Sequence, residues 1–144
     1  MKLDKKGYEA LHKREGLRLK PYLDTKGVPT IAMGNTFYLD GRKVTMLDRP
    51  LSLPEANALS KIIADKFALS VSGLITSEVN QNQFNACVSL TYNIGTNGFR
   101  GSTALKRINA DPNNPTIGKA FMMWTKDKEL IGRRKSEVLQ YFTV

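Results

Sequence analysis

The sequence predicts an α+β fold, in which an N-terminal helix and a small antiparallel sheet are joined by a long helix to a mostly helical lobe. Three observations predict this layout. Within residues 17–45, LRLK alternates apolar and polar side chains, VPTIAM has extended character, and DTKG and Asp40-Gly41 are turn signals. A capping box then opens a long helical pattern at Ser52 and Glu55. Helical patterns fill the remaining chain, and 144 residues, of which 41% are hydrophobic, are enough for one buried core.

The first helix is predicted over about residues 5–15, because Tyr8, Leu11 and Glu15 follow the helical period. Gly16 then allows the chain to leave the helix abruptly. A hairpin follows, with LRLK as its first arm, DTKG as its turn and VPTIAM as its returning arm. The sheet is therefore expected directly after the first helix.

The second half of the chain reads as a series of helices. The long helix should run over about residues 53–70, since apolar residues recur along it at helical spacing. Asn80 and Gln83 form another capping pair, and the helix after them is apolar on nearly all sides, which predicts a central core helix. Gly95 can end this helix, and Ser102 can cap a short helix beyond it. The segments IGKAFMMW and RRKSEVLQYF complete the helical part.

The composition restricts partners and compartment. The chain carries 22 Lys and Arg against 13 Asp and Glu, a net charge of +9, which favours polyanionic partners such as nucleic acid, anionic lipid or a carboxylate-bearing cell-wall polymer. Cys87, the single cysteine, allows no intrachain disulfide and is expected to be a small buried hydrophobe. No run approaches the roughly 20 apolar residues of a membrane span, and the first residues lack the apolar core of a secretion signal. We therefore expect the chain to accumulate in the cytoplasm.

Glu15 is the first candidate for chemistry, because it lies on the apolar face of the predicted helix, between Leu11 and His12. A carboxyl group among apolar neighbours favours its protonated form, and a general acid must hold a proton near neutral pH. The alternative is a surface glutamate that caps the helix end or pairs with Arg14 or Arg18. The helical pattern leaves both interpretations open.

Asp24 and Thr30 supply a second acid and a hydroxyl a short distance along the chain. Asp24 opens the DTKG turn, where backbone N–H groups would keep its carboxylate ionised. One protonated and one ionised carboxyl group are typical of glycoside cleavage. We expect the hairpin to fold back across the helix end and to bring Thr30 opposite Asp24, where its hydroxyl would help to hold a water. The alternatives are a structural turn aspartate and an ordinary strand threonine.

Three blocks of sequence carry a family resemblance, in the order of that family. In EGLRLKPYLDTKGVPTIAMGNT, residues 15–36, eight residues separate Glu15 from Asp24 and five separate Asp24 from Thr30. The other blocks are NQNQFNACVSLTYNIGTNGFRGSTALKRIN, residues 80–109, and FMMW followed by GRRKSEVLQYF. With these blocks the chain resembles the T4-type phage lysozymes, the endolysin muramidases of the glycoside hydrolase class.

The resemblance implies a single lysozyme-like domain over residues 1–144 with two lobes. The sheet lobe would span about residues 12–52. The helical lobe would combine about residues 1–11 with 53–144.

The resemblance also implies catalytic roles. Glu15 would be the general acid that protonates the glycosidic oxygen, and Asp24 the base or electrostatic partner for the attacking water. Thr30 would position this water, in a reaction that inverts the anomeric configuration. Arg133 or Arg134 would supply an arginine to the acid.

Substrate-binding residues are expected from the second block. They are Tyr92, Asn93, Phe99 and Ser102, with Phe99 as a platform for a sugar face. Core packing and helix capping remain equally open interpretations of these residues.

The sequence departs from the family pattern at TIAMGN, where that pattern reads T-I-G-x-G-H. Ala32 replaces a glycine, and its methyl group would crowd the neighbourhood of Thr30 if backbone must approach closely there. Asn35 replaces a histidine that is structural in the family, so a stabilising ion pair is affected rather than the chemistry. His12 is expected to be a partly buried packing residue without a metal. Trp124 is expected to be a core residue, the alternative being an indole at the lobe edge that touches substrate.

The function that the resemblance implies is that of an endolysin. It would hydrolyse the β-1,4 bond between N-acetylmuramic acid and N-acetylglucosamine in bacterial peptidoglycan, for host cell lysis. No metal, nucleotide or redox cofactor is expected. We expect a monomer without stable membrane association or nucleic-acid binding. It would wait in the host cytoplasm until a holin permeabilises the membrane, and then act on the wall from the periplasm.

Three other functions fit part of the sequence. A lytic transglycosylase would use Glu15 alone and form an anhydro product without a water. A noncatalytic wall-binding module would be consistent with the altered TIAMGN segment. Nucleic-acid binding is suggested by the charge of +9, but the Lys and Arg residues are dispersed and form no known binding motif.

Overall fold

A computed structural model describes all 144 residues, which form seven helices and one two-stranded antiparallel sheet. The predicted α+β class is therefore confirmed. In chain order the elements are α1 (Lys5–Glu15), β1 (Arg18–Leu23), β2 (Pro29–Ala32), α2 (Leu53–Leu74), α3 (Gln81–Ile94), α4 (Thr96–Arg100), α5 (Thr103–Ala110), α6 (Ile117–Met122) and α7 (Leu130–Tyr141). None of these helices combines the length and the apolar character of a membrane span.

The chain divides into two compact units. The first, called the hairpin unit here, is Tyr8–Asp65, and the second, the helical unit, is Met1–Gly7 together with Lys66–Val144. The divisions fall inside α1 and α2, whereas the predicted lobes divide near residues 12 and 53.

The hairpin unit is built around the predicted hairpin. Leu23 pairs with Pro29, and the turn between them is closed by a hydrogen bond from the Asp24 amide to the Val28 carbonyl, 3.0 Å. The second predicted hairpin, around the Asp40-Gly41 turn, is reduced to one bridge between Phe37 and Lys43. Phe37 is 54% exposed, whereas Val44 is buried, so one face of this short hairpin packs on the core and the other faces solvent.

A small core fixes the hairpin to the start of α2. The helix begins at the predicted capping box, in which the Glu55 amide donates to Ser52 Oγ over 3.2 Å and the Ser52 amide to Glu55 Oε1 over 3.0 Å. It continues to Leu74, beyond the predicted end near residue 70. The core residues of this unit are Ile31, Ala32, Val44, Leu51, Ala56 and Leu59.

The helical unit surrounds α3, the predicted central helix. Residues 83–91 are all buried, and the Asn80 side chain accepts from the Gln83 amide in the predicted capping box. The helix ends at Gly95, whose φ of 88° is accessible to glycine without strain. Helix α4 was not predicted from the sequence, because a helix of five residues next to Gly95 has too short a pattern to read. Ser102 caps α5 as predicted, and α6 and α7 complete the unit.

Candidate active site

Glu15 is the last residue of α1, and the chain turns sharply after it. The Gly16 amide donates to the His12 carbonyl over 2.8 Å, and Gly16 adopts a φ of 77°, which permits the abrupt exit. Glu15 is half-buried, while Leu11 one turn earlier is fully buried. The carboxyl group therefore lies at the margin of the apolar face.

Asp24 shapes the turn of the hairpin. Its Oδ1 atom accepts from the backbone amides of Lys26 and Val28, over 2.8 and 2.9 Å. The structural alternative for Asp24, a turn aspartate, is thus observed. Both bonds use Oδ1, which leaves Oδ2 without a protein donor and able to accept from another group.

Thr30 does not lie opposite Asp24, as predicted, but opposite Tyr22. The reason is the closure of the turn: Asp24 pairs with Val28, so Thr30, two residues further on, faces the residue two before Asp24. Thr30 is 3% exposed, and its hydroxyl donates to the Val28 carbonyl over 2.8 Å. Its oxygen remains available as an acceptor.

Tyr22 is related to each of the three predicted catalytic residues, by strand pairing with Thr30 and through the charges of Asp24 and Glu15. Burial raises the pKa of its phenol, the Arg18 guanidinium lowers it, and the negative charges of Asp24 and Glu15 raise it further. The charges of both carboxylates therefore act on the Tyr22 phenol. Sequence reasoning did not select Tyr22, although counting back from the DTKG turn places it opposite Thr30.

The departures at TIAMGN have structural roles. Asn35 is buried, and its side-chain amide donates to the Leu59 carbonyl over 2.9 Å, which ties the hairpin to α2. Hence a neutral hydrogen bond connects this position to the helix. Ala32 is fully buried and has a φ of 59°, the left-handed conformation in which glycine is usual. The family resemblance predicts a glycine at this position.

The residues expected to bind substrate lie in the helical unit and differ in exposure. Tyr92 is half-buried, with its ring 5.0 Å from that of Phe67, and Asn93 is exposed. Phe99 is fully buried, so it presents no ring face to a sugar, and its predicted role as a platform gives way to core packing. Ser102 donates to the Phe99 carbonyl over 2.7 Å and accepts from the Leu105 amide over 3.0 Å, which is helix capping.

Arg133 and Arg134 meet at Glu137, a carboxylate without solvent exposure. Arg134 is equally buried and donates to Glu137 Oε1 over 2.5 Å, to the Trp124 carbonyl over 3.0 Å, and to Asn93 Oδ1. All three of its side-chain nitrogen atoms are therefore used within the helical unit. The expected support of the acid by Arg133 or Arg134 stays a prediction.

Arg133 is held by the same carboxylate. Its Nε donates to Glu137 Oε2 over 3.1 Å and its Nη2 to the Ser89 carbonyl over 2.9 Å. Ser89 Oγ donates to Glu137 Oε2 over 2.5 Å. Sequence reasoning missed Glu137 and Ser89, because the spacing of residues along α3 and α7 does not reveal which polar side chains face each other.

The remaining singled-out residues have structural surroundings. His12 is half-buried, its Nε2 lies 2.9 Å from Ser60 Oγ, and burial lowers its pKa. Trp124 is half-buried, and Cys87 is buried in α3, where desolvation and the Glu137 charge raise the pKa of its thiol. No three His, Cys, Asp or Glu side chains are placed to share a metal ion.

Comparisons with known proteins identify the family and the fold. The Phage lysozyme family model matches residues 12–137. The endolysin of Salmonella phage P22 is 34% identical over 141 residues, which cover 95% of each protein. The crystal structure of a P22 lysozyme mutant has a TM-score of 0.90 at 33% identity, and 99% of each chain is covered. The muramidase domain of SpmX from Asticaccaulis excentricus has a TM-score of 0.82 at 29% identity and also covers 99% of each chain.

These matches extend over nearly the whole sequence and confirm the predicted resemblance and the lysozyme-like fold. The chain belongs to the phage lysozyme family and is a peptidoglycan-lysing enzyme of the lysozyme type.

Proposed function

We propose that the enzyme is a muramidase that hydrolyses the β-1,4 bond between N-acetylmuramic acid and N-acetylglucosamine. Glu15 is its general acid, Asp24 its base and Thr30 the residue that positions the water. The observation that carries this assignment is the hairpin that follows Glu15 at the end of α1: the Asp24 carboxylate closes its turn through Oδ1 alone, and Thr30 lies on its returning strand. The similarity of the chain to the muramidase domain of SpmX supports the choice of bond.

The proton transfers follow from these groups. Glu15 gives its proton to the glycosidic oxygen as the bond from that oxygen to the anomeric carbon of the muramic acid breaks. The oxygen of a water forms the new bond to this carbon, while Asp24 takes one of its protons through Oδ2. The other hydrogen of the water is directed to Thr30 Oγ1, which can only accept, because its own hydrogen is donated to the Val28 carbonyl. The products are a reducing muramic acid end and a free hydroxyl on the glucosamine.

Two residues of the helical unit complete the assignment. Asn93 and Tyr92, which are at least partly accessible, are substrate-binding residues. Phe99 and Ser102 contribute through packing and capping instead.

The biological setting follows from the same proposal. The enzyme works as a monomer on the cell wall, stays in the host cytoplasm during infection, and reaches the periplasm after a holin has permeabilised the membrane. Its relatives include proteins named endolysin from several bacteriophages, which supports a role in host cell lysis.

The test replaces the acid alone. In a turbidity assay on cells stripped of their outer membrane, Glu15→Gln should lower the rate of lysis by about 10²- to 10⁴-fold, the usual contribution of general acid–base catalysis. Glu9→Gln, an exposed position on the same helix, is the matched control and should lyse at the wild-type rate. Near-normal lysis by Glu15→Gln would overturn the acid assignment.

Mass spectrometry of the released muropeptides tests the use of water. Hydrolysis leaves reducing muramic acid ends, as we expect. Anhydro ends would instead indicate a transglycosylase and would remove the roles of Asp24 and Thr30.

A further inference from the structure

The side chain of Tyr22 lies on the face of the sheet that carries Thr30. The two residues are direct partners in the antiparallel ladder, and the side chains of such partners project from the same face at about 4.5–5.5 Å between their Cβ atoms. The Tyr22 ring is half-buried. The ring therefore lies beside the Thr30 hydroxyl, which positions the attacking water in the proposed function.

Arg18 holds the ring of Tyr22 in place. Its guanidinium carbon lies 4.5 Å from the centre of the ring, within the range of a cation–π contact. Arg18 itself is exposed, so the contact lies at the surface of the hairpin unit. The guanidinium thus covers one face of the Tyr22 ring and leaves the hydroxyl without a contact to Arg18.

The hydroxyl of Tyr22 has no hydrogen-bond partner in the protein. Other tyrosine hydroxyls are used: Tyr8 donates to Asp65, Tyr38 to Asp48 over 2.7 Å, and Tyr141 to the Pro112 carbonyl over 2.7 Å. A phenol that is partly removed from water normally finds a partner, because an unsatisfied polar group costs free energy. This hydroxyl is therefore a neutral donor that is available to a bound molecule.

Resting on the proposed function, we propose that the Tyr22 hydroxyl donates a hydrogen bond to a hydroxyl or acetamido oxygen of the sugar next to the scissile bond. Saccharides offer neutral oxygen acceptors, which do not add charge beside Glu15 and Asp24. Tyr22 is thus a substrate-binding residue, and Arg18 is the residue that positions it.

The experiment compares two substitutions that each remove one hydroxyl. Tyr22→Phe should lower kcat/KM on purified peptidoglycan by about 3- to 10-fold, the effect of one hydrogen bond, and leave the melting temperature unchanged. Tyr38→Phe is the matched control in the same unit, because its hydroxyl bonds Asp48. It should lower the melting temperature and leave kcat/KM of the folded enzyme unchanged. Reducing ends are counted and rates are normalised to folded protein.

Each other outcome overturns the inference. Wild-type kcat/KM in Tyr22→Phe means that no sugar oxygen uses the hydroxyl. A fall in both kcat/KM and melting temperature means that the hydroxyl acts structurally. If Glu15→Gln is inactive while Tyr22→Phe equals wild type, the inference fails and the proposed function stands; if Glu15→Gln remains active, the proposed function fails first.

Discussion

At position 32 the backbone adopts a conformation that residues with a Cβ atom rarely take. Ala32 has a φ of 59° and is fully buried in the small core of the hairpin unit. The left-handed conformation costs a non-glycine residue about 1–2 kcal/mol. Burial of the methyl group returns about 0.8 kcal/mol. The two contributions nearly cancel, which explains how alanine is tolerated where the family pattern has glycine.

We therefore expect Ala32→Gly to change the free energy of unfolding by less than about 1 kcal/mol, measured by urea denaturation. Ala86→Gly is the matched control: Ala86 is equally buried but lies inside α3. It should destabilise the protein by about 1–2 kcal/mol, since glycine within a helix costs about 1 kcal/mol and a buried methyl is also lost. Equal losses at the two positions would show that φ at Ala32 carries no strain.

Helix α7 is attached to α3 through a buried charge cluster. Glu137 accepts from both Arg133 and Arg134, which precede it on α7, and from Ser89 on α3. The Arg133 side chain is 11% exposed, whereas those of Arg134 and Glu137 are not exposed at all. Buried ions of this kind depend on their partners, because neither charge is hydrated by water.

Removing the shared carboxylate should therefore weaken the attachment. We expect Glu137→Gln to lower the free energy of unfolding by about 3–5 kcal/mol, as is typical when one partner of a buried ion pair is lost. Glu129→Gln, the exposed glutamate just before α7, should change it by no more than about 0.5 kcal/mol. A small effect at Glu137 in denaturant titrations would indicate that solvent reaches the cluster after substitution.

The elements of this fold differ in how far the sequence predicts them. The starts of α2, α3 and α5 were predicted because Ser52, Asn80 and Ser102 act on backbone within three residues of them. The partner of Thr30 was predicted wrongly. A shift of one residue in the turn changes the pairing of the two strands, and the DTKG motif does not show which two residues close the turn. The burial of Phe99 depends on packing with elements distant in sequence, which periodicity does not report.

Net charge acts at the scale of the whole molecule. The charge of +9 is spread over the chain, and much of it lies on exposed lysines such as Lys13, Lys20 and Lys128. Peptidoglycan bears carboxylates on its peptides, so long-range attraction should raise the rate at which enzyme meets wall. This attraction is limited by a Debye length of about 10 Å at 0.1 M salt.

The initial rate of wall lysis should therefore fall as sodium chloride is raised from about 0.05 to 0.5 M, with no loss of folded protein by circular dichroism. The double variant Lys13→Gln and Lys128→Gln lowers the net charge by two and should show a shallower dependence on salt. Rates that do not change with salt would show that encounter with the wall is not electrostatically guided.

Cys87 sits in the middle of α3, buried, with a thiol that resists ionisation. The thiolate is the reactive form of cysteine. A buried thiol that stays protonated therefore does not react with oxidants or alkylating reagents while the helical unit stays folded. This lack of reactivity is thus a property of the native state and ends only when the helix opens. The rate at which the Cys87 thiol is alkylated should therefore report how often the helical unit unfolds, without any engineered label.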